Sequence, residues 1–248
     1  MPAELEKIYG RLGLADREVY ANFVASIDGV VSLGDKPSAG SEISRRNQAD
    51  RFLMGLLRAF SDAVLLGAGT LRATPGHDWT AEHVFPDLAS AYAELRQDLG
   101  RKPRPRLILL TASGNIEVSH PAVGGGATVL TTSAGAAHLK HRLPDSCDII
   151  ELGDEGSVDL ALALEKLRAR GYGAILTEGG PHVMGELIAA RLLDEVFLTM
   201  SPVIAGRGDD TRLGMVAGAE FLPSDGVWSK LVSARRHGDY MFLRYRLR

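Results

Sequence analysis

Short apolar runs that end in turn residues recur along most of the chain. They cover residues 20–26, 63–66, 106–110, 127–130, 148–152, 174–176 and 196–200. Runs that are apolar on both faces are typical of strands covered on both sides of a sheet. The pattern therefore predicts a buried, mostly parallel sheet.

Patterns with a helical period lie between these runs. The apolar residues of the clearest pattern fall on one face of a helix. They are Ala49, Leu53, Leu56, Leu57 and Phe60. Ser44 is predicted to cap the start of this helix. Ser157 is predicted to cap a second helix that ends at Gly171, and Pro181 suits the first turn of a third.

The C-terminal part follows a different pattern. Two segments, residues 227–236 and 240–248, flank a His237-Gly-Asp239 turn, and apolar residues alternate in the second. This predicts an antiparallel hairpin. The whole pattern predicts an α/β fold, with a mostly parallel central sheet between helical layers and an antiparallel C-terminal hairpin. No linker divides the chain, so residues 19–248 are predicted to form one domain after an N-terminal helical extension, residues 1–18.

Composition narrows the possible partners and compartment. The 248 residues carry a formal net charge of −3, which gives no basic field for nucleic acid or an anionic membrane. The single cysteine, Cys147, excludes an intrachain disulfide and fits a reducing cytoplasm. No apolar run reaches the roughly 18 residues of a membrane span, and the N-terminus lacks a signal-peptide core. We expect a cytoplasmic protein that acts on a small molecule.

The ends of the predicted strands are the candidate sites, because backbone N–H groups and helix N-termini converge there in α/β sheets. In Leu176-Thr-Glu-Gly-Gly-Pro181, Gly179 and Gly180 let a phosphate or ribose approach the main chain. The alternative is a tight turn with Glu178 solvated at its mouth. Gly69 and Thr70 after the second run are either ligand contacts or turn residues.

Other polar residues at strand ends have equally open roles. Asp28 precedes Gly29 in a dipeptide typical of turns. Thr131 and its neighbouring hydroxyls either meet a phosphate or cap the next segment. His138 and His141 have no carboxylate or cysteine at metal spacing, so no metal site is predicted.

Four of these segments together resemble one family. They are Phe23-Val-Ala-Ser-Ile-Asp-Gly29, residues 62–73, Ile175-Leu-Thr-Glu-Gly-Gly-Pro181 and residues 195–204. Their order and spacing are similar to the C-terminal reductase domain of the riboflavin-biosynthesis protein RibD, from about Val19 to Arg248. The resemblance implies a dihydrofolate-reductase-like fold, a homodimer and NADPH as cofactor. It also implies reduction of 5-amino-6-(5-phosphoribosylamino)uracil, whose ribosyl group becomes a ribityl chain.

The resemblance also implies site residues. Arg58, Glu178 and Ser44 are expected to bind substrate, and Asp28 and Glu178 are the candidate catalytic groups. Asp28 is a candidate polar or proton-supplying group, and its turn role alone is the alternative. The expected cofactor contacts are Val24, Gly69, Thr70, Ser113, Thr131, Gly179, Gly180, Pro181, His182, Val183 and Met184.

Two departures from the family pattern bear on activity. One cysteine cannot form the zinc deaminase site of bifunctional members, so a stand-alone reductase is expected. After Thr70, Thr74 stands where the family has an aspartate, and Ala81 stands near the place of an arginine. Loss of that arginine should weaken binding of a phosphorylated substrate.

Two other functions remain open from the sequence. A dihydrofolate or pterin reductase would use the same cofactor, with Trp79 as a possible stacking surface. A protein that binds NADP without catalysis would be a sensor or assembly partner. Turnover of NADPH with each substrate separates the three hypotheses.

Overall fold

A computed structural model describes residues 12–34, 38–154, 156–208 and 211–247. Within these residues nine strands form one sheet. They are β1 (Val19–Ala25), β2 (Ala63–Gly67), β3 (Arg106–Leu110), β4 (Ala127–Thr131), β5 (Asp148–Glu151), β6 (Ile175–Thr177), β7 (Glu195–Met200), β8 (Lys230–His237) and β9 (Tyr240–Arg246).

Helices connect the strands of the parallel part. They are α1 (Ala39–Ile43), α2 (Gln48–Phe60), α3 (Ala68–Ala73), α4 (Ala81–Val84), α5 (Ala89–Asp98), α6 (Pro121–Gly124), α7 (Ser133–Leu139), α8 (Leu160–Ala169) and α9 (Pro181–Ala189). A short 3₁₀ turn, Pro86–Leu88, precedes α5.

The sheet order is β5-β4-β3-β2-β6-β1-β7-β9-β8. The strands from β5 to β7 pair in parallel, and β9 runs antiparallel to both β7 and β8. Parallel strands need crossover connections, which the helices supply. The predicted parallel sheet with a C-terminal hairpin is confirmed.

A hydrophobic core lies on each face of the sheet. On one face Leu53 and Leu56 of α2 pack with Tyr92 of α5. On the other face Leu164 of α8 packs with Leu187 of α9. The protein therefore has the three layers that the sequence pattern predicts.

The start of α2 differs from the prediction. The side chain of Asn47, not Ser44, caps this helix: its Oδ1 accepts hydrogen bonds from the amides of Ala49 (2.9 Å) and Asp50 (3.2 Å). Ser44 lies at the C-terminal end of the preceding helix α1. Left-handed residues at Arg45 (φ 51°) and Arg46 (φ 52°) separate the two helices, so a helix cannot run on from Ser44.

A similar correction applies to α8. Asp159, two residues after Ser157, caps it by accepting a hydrogen bond from the Leu162 amide at 2.9 Å. An N-cap oxygen reaches only the amides two or three residues ahead, so a helix that begins at Leu160 takes the cap next to it.

The predicted N-terminal helical extension falls partly outside the described residues, which begin at Leu12. Residues 12–18 are irregular with a turn at Asp16 and Arg17, so this part is not helical. Leu12 is buried in the core, and its carbonyl accepts a hydrogen bond from Arg244. These residues therefore pack against the domain. In the part of the chain that the structure describes, no helix is long and apolar enough to span a bilayer.

Candidate active site

A cleft of about 410 Å³ opens at the carboxyl ends of β1, β2 and β6. The first turns of α2, α3 and α9 also border it. Eight of the expected substrate and cofactor residues line this cleft: Val24, Ser44, Arg58, Thr70, Glu178, Gly179, Gly180 and Pro181. The order of the parallel strands brings them together, because β2, β6 and β1 are adjacent in the sheet.

Arg58 and Glu178 form a bidentate ion pair in the wall of the cleft. Arg58 Nε donates to Glu178 Oε1 at 2.9 Å, and Nη2 donates to Oε2 at 2.6 Å. The Arg58 side chain is fully buried, and that of Glu178 is 9% exposed. Arg58 thus fixes the orientation of a carboxylate whose remaining surface faces the cleft.

The other donors of Arg58 hold the segment after α3. Nη1 donates to the carbonyls of Asp78 (3.3 Å) and Thr80 (3.2 Å), and Nη2 lies 3.0 Å from His77 Nε2. A guanidinium has five N–H donors, so all of those on Arg58 are engaged within the protein. Arg58 therefore acts on the cleft through Glu178 and this segment, and it presents no free donor to a substrate.

His77 is neutral in this arrangement. Because a guanidinium has no acceptor, His77 Nε2 must accept the Arg58 hydrogen bond, and Nδ1 carries the proton. Burial, followed by the charge of Arg58, lowers the pKa of His77 to about 3. The ring of His77 also packs edge-on against Trp79 (centroids 5.0 Å apart) and His83 (4.7 Å). Trp79 is only 4% exposed, so little of its ring is open to stack on a pterin.

The start of α9, directly after Glu178, forms an open cradle that also lines the cleft. Gly180 is the N-cap residue and supplies no side-chain cap to the first amides of this helix. A Cβ on Gly180 would lie 3.5 Å from Thr70 Oγ1, and one on Gly179 would lie 2.9 Å from Val183 Cβ. Uncapped amides at a helix N-terminus bind phosphate groups, and the glycines let a ligand approach the main chain. The cradle fits the pyrophosphate of a nucleotide cofactor.

Three further residues of the α9 turn contribute no side chain to this cleft. Val183 and Met184 are buried in the core, and His182 is exposed outside the cleft wall. Any contact that these residues make with a cofactor would come from their backbone amides.

Three of the expected cofactor residues lie away from the cleft lining. Gly69 is exposed, with no atom within 4 Å of an added Cβ. Ser113 is exposed, and its hydroxyl accepts a hydrogen bond from the Asn115 amide at 3.3 Å. The Thr131 hydroxyl is buried and donates to the Ala112 carbonyl at 3.3 Å. The next residue, Thr132, caps α7, which matches the capping alternative for this hydroxyl cluster.

The structure also places Asp28 outside the cleft. Its exposed carboxylate accepts hydrogen bonds from the amides of Ala205 (3.0 Å) and Gly206 (2.7 Å). A hydrogen bond from the Ser26 hydroxyl and those two amides lower the pKa of Asp28 to about 2. A carboxyl that is ionised and turned to a loop is unsuited to supply a proton in the cleft, so Asp28 has the turn role that its sequence indicates.

A carboxyl that the sequence analysis missed lines the cleft instead. Asp50 lies in the first turn of α2 and is 3% exposed. Burial raises its pKa to about 6, and the Glu178 charge acts in the same direction, against the hydroxyls of Thr199 and Ser44. The sequence carried a signal for it, because position 50 lies three and seven residues before Leu53 and Leu57, on the apolar face of the helix.

The sheet and the cleft define a three-layer α/β protein with an open cleft at the carboxyl ends of its strands. The sequence profile of the RibD C-terminal domain matches residues 17–235. The chain belongs to the RibD C-terminal domain family.

Comparison with individual proteins agrees with this membership. The 2,5-diamino-6-ribosylamino-4(3H)-pyrimidinone 5′-phosphate reductase of Archaeoglobus fulgidus is 28% identical over 195 residues, 77% of this chain and 83% of that protein. A pyrimidine reductase-like protein from Corynebacterium diphtheriae has a similar structure, with a TM-score of 0.75, 24% identity and 98% of each chain covered. The riboflavin biosynthesis reductase of Saccharomyces cerevisiae has a TM-score of 0.62 at 15% identity, with 100% and 99% covered. The two structures share the fold of this chain.

Proposed function

We propose that the protein is an NADPH-dependent reductase of a ribosylamino-pyrimidine 5′-phosphate in riboflavin biosynthesis. One observation carries the proposal: an open, glycine-lined helix start and an oriented carboxylate, Glu178, line the same cleft. This is the arrangement that hydride transfer needs, since a cofactor and a polar substrate must be held side by side away from water.

The cofactor would lie on the α9 side of the cleft. The amides at the start of α9 would hold its pyrophosphate, and Thr70 and Val24 would border it. When bound, the dihydronicotinamide supplies the hydride. The preference for NADPH over NADH follows from the family resemblance alone, and paired Kd measurements with both cofactors test it.

The substrate would lie against Glu178 and Asn22. Glu178 has two acceptor oxygens, and the ion pair with Arg58 fixes the direction in which they point. Asn22 lines the same cleft, and its side-chain oxygen is buried without a donor among the described residues. Ribose hydroxyls and pyrimidine amino groups are donors of the kind that these acceptors need.

The name of the Archaeoglobus relative favours the 2,5-diamino-pyrimidinone over the aminouracil as the pyrimidine. Initial rates of NADPH oxidation with both pyrimidines and with dihydrofolate test the proposal. We expect a kcat/KM for one of the ribosylamino-pyrimidines far above that for dihydrofolate. A preference for dihydrofolate, or tight NADPH binding without turnover of any of the three, would contradict it.

We also propose that the protein forms a homodimer through the edge of its sheet. Strand β8 is exposed along its length apart from Ser233. Leu231 (52%), Val232 (41%) and the preceding Trp228 (86%) are large exposed apolar side chains. An apolar edge strand of this kind is a typical site of association. Light scattering should give a dimer mass for the native chain and a monomer mass for Trp228→Ser/Leu231→Lys; a native monomer would refute the proposal.

A further inference from the structure

Asp50 is a carboxyl without a partner of opposite charge in a site that needs a proton. Its side chain is buried, and no cation lies within ion-pair distance of it among the described residues. The hydroxyls of Ser44 and Thr199 lie beside it, and it lines the same cleft as Glu178 and Asn22. A buried carboxyl that carries no structural ion pair is typical of a group kept for proton transfer.

We propose that Asp50 is the general acid of the reduction, which gives its proton to the ribose ring oxygen O4′ of the substrate. The inference rests on the proposed function. As O4′ takes the proton, the C1′–O4′ bond breaks with its electrons going to oxygen, and the nitrogen lone pair forms a C1′=N iminium. The hydride then adds to C1′, and the π electrons return to nitrogen.

This sequence balances the reaction and gives Asp50 a second role. One proton and one hydride are consumed in each turnover, and the product carries a free O4′ hydroxyl on a ribityl chain. Once ionised, the Asp50 carboxylate is a negative group in the cleft that contains the cationic iminium. It regains a proton from solvent after the product leaves.

The other titratable groups of the cleft are less suited to this task. Both oxygens of Glu178 accept hydrogen bonds from Arg58. His77 is neutral, and its Nε2 is committed to Arg58. His83 is exposed at the rim, so solvent competes with it for the substrate. Asp50 is the remaining carboxyl of the cleft wall.

The field at Asp50 comes from groups on several elements. The charged and titratable residues that line the cleft with Asp50, or that contact Ser44 beside it, are Arg46, Arg51, Arg58, His77, His83, Glu178 and Tyr240. Glu178 favours the protonated form of Asp50, and Arg51 on the same helix opposes it. A bound cofactor and a bound substrate phosphate would add negative charge and so raise the pKa of Asp50 further.

Replacement of the carboxyl by an amide tests the proposal. Asp50→Asn should lower the single-turnover rate by about 10²- to 10⁴-fold, the usual contribution of a general acid. Asp50→Glu should recover part of the rate. The primary isotope effect from cofactor deuterated at the transferred position should fall towards 1 in Asp50→Asn, because ring opening then limits the rate. Asp98→Asn, the same change at an exposed position on α5, is the matched control.

Two measurements do not depend on the activity of a variant. The single-turnover rate of the native enzyme should fall as pH rises through the pKa of Asp50. The ligand-free protein should show an infrared band of a protonated carboxyl that titrates near pH 6 and is missing from Asp50→Asn.

Each outcome separates the two proposals. Native enzyme that reduces neither ribosylamino-pyrimidine would overturn the proposed function, and the role of Asp50 with it. Native enzyme that reduces one of them, while Asp50→Asn keeps its rate and pH profile, would overturn the role of Asp50 alone. A native single-turnover rate that does not fall as pH rises through the pKa of Asp50 would also overturn the role of Asp50. This result stands even if Asp50→Asn fails to fold.

Discussion

At the scale of single residues, the site depends on a pair that the sequence separates by 120 positions. Arg58 lies in α2 and Glu178 in the turn after β6, yet their side chains make two parallel hydrogen bonds. Burying one of these charges without the other is unfavourable by several kcal/mol. The pair therefore contributes to the folded state as well as to the shape of the cleft, and a test of its function must measure both.

The first prediction concerns Glu178→Gln. The change keeps the size of the side chain but leaves the buried charge of Arg58 without a counter-ion, so the free energy of unfolding should fall by about 3 kcal/mol. Loss of the charged acceptor should lower kcat/KM by about 10- to 100-fold, with little change in the Kd for NADPH. Urea unfolding, steady-state kinetics and fluorescence titration check these effects.

The control for this variant is Glu186→Gln, the same change on the exposed side of α9. It should leave stability and kinetics unchanged. A larger effect of Glu178→Gln on NADPH affinity than on turnover would mean that Glu178 lies on the cofactor side of the cleft.

The second prediction compares two adjacent glycines. A methyl group on Gly180 has room, since its nearest neighbour would be Thr70 Oγ1 at 3.5 Å, but it narrows the cradle. Gly180→Ala should therefore raise the Kd for NADPH by about 10-fold with little change in Tm, within the usual range for an overfilled contact. Isothermal titration calorimetry measures the Kd.

Gly179→Ala is the matched variant. Its Cβ would lie 2.9 Å from Val183 Cβ, so the first turn of α9 must shift and the Tm should fall. Unchanged NADPH affinity in Gly180→Ala would show that the cofactor does not approach this turn.

At the scale of elements, helix α2 supplies two of the polar side chains that line the cleft. Asp50 lies in its first turn and Arg58 in its last. The Asn47 cap and the two left-handed residues before it set where the helix begins, and so set which side chains face the cleft.

The third prediction is for Asn47→Ala. Loss of the cap should reduce the free energy of unfolding by about 1 kcal/mol and fray the turn that holds Asp50. The rate of NADPH oxidation should fall as well, measured well below the Tm. Asp159→Ala removes the equivalent cap from α8 and should lower stability alone. Equal loss of activity in both variants would mean that α2 has no special link to the site.

At the scale of the whole molecule, the buried Asp50 and the half-buried His77 have opposite effects on how stability depends on pH. The pKa of Asp50 is raised from 3.8 to about 6, so the stabilisation from its protonated form is complete below pH 3.8 and is lost as pH rises to about 6. The pKa of His77 is lowered from 6.5 to about 3, so its contribution is complete above pH 6.5 and is lost as pH falls to about 3.

The fourth prediction follows from these opposite signs. Asp50→Asn should be as stable as the native protein near pH 4 and more stable by about 3 kcal/mol at pH 7, where the native carboxyl must ionise in a buried site. Urea unfolding at several pH values between 4 and 7 measures the difference. His77→Gln should instead lose the decline in stability below pH 6.5. A destabilised Asp50→Asn at pH 7 would show that the ionised carboxylate is structural.

Much of the fold follows from local patterns in the sequence. Two-sided apolar runs predict the strands, and alternation around His237-Gly-Asp239 predicts the hairpin. Helix starts were less predictable, because Ser44 and Asn47 are both good caps and only backbone geometry selects between them. The positions of Asp28 and Asp50 were not predictable for a related reason: the two aspartates look alike in the sequence, and only the fold leaves Asp28 exposed and buries Asp50.

The sequence by itself determined the class of fold, the family and the turn from Glu178 to Pro181, because periodicity and glycine placement act over a few residues. Only the tertiary structure determined which side chains line the same cleft. In the folded protein Glu178 pairs with Arg58, and every donor of that arginine is engaged. Asp28 lies outside the cleft, and Asp50 is buried in its wall. Those outcomes depend on contacts between distant segments, and on loss of water around each charge, which no short stretch of sequence encodes.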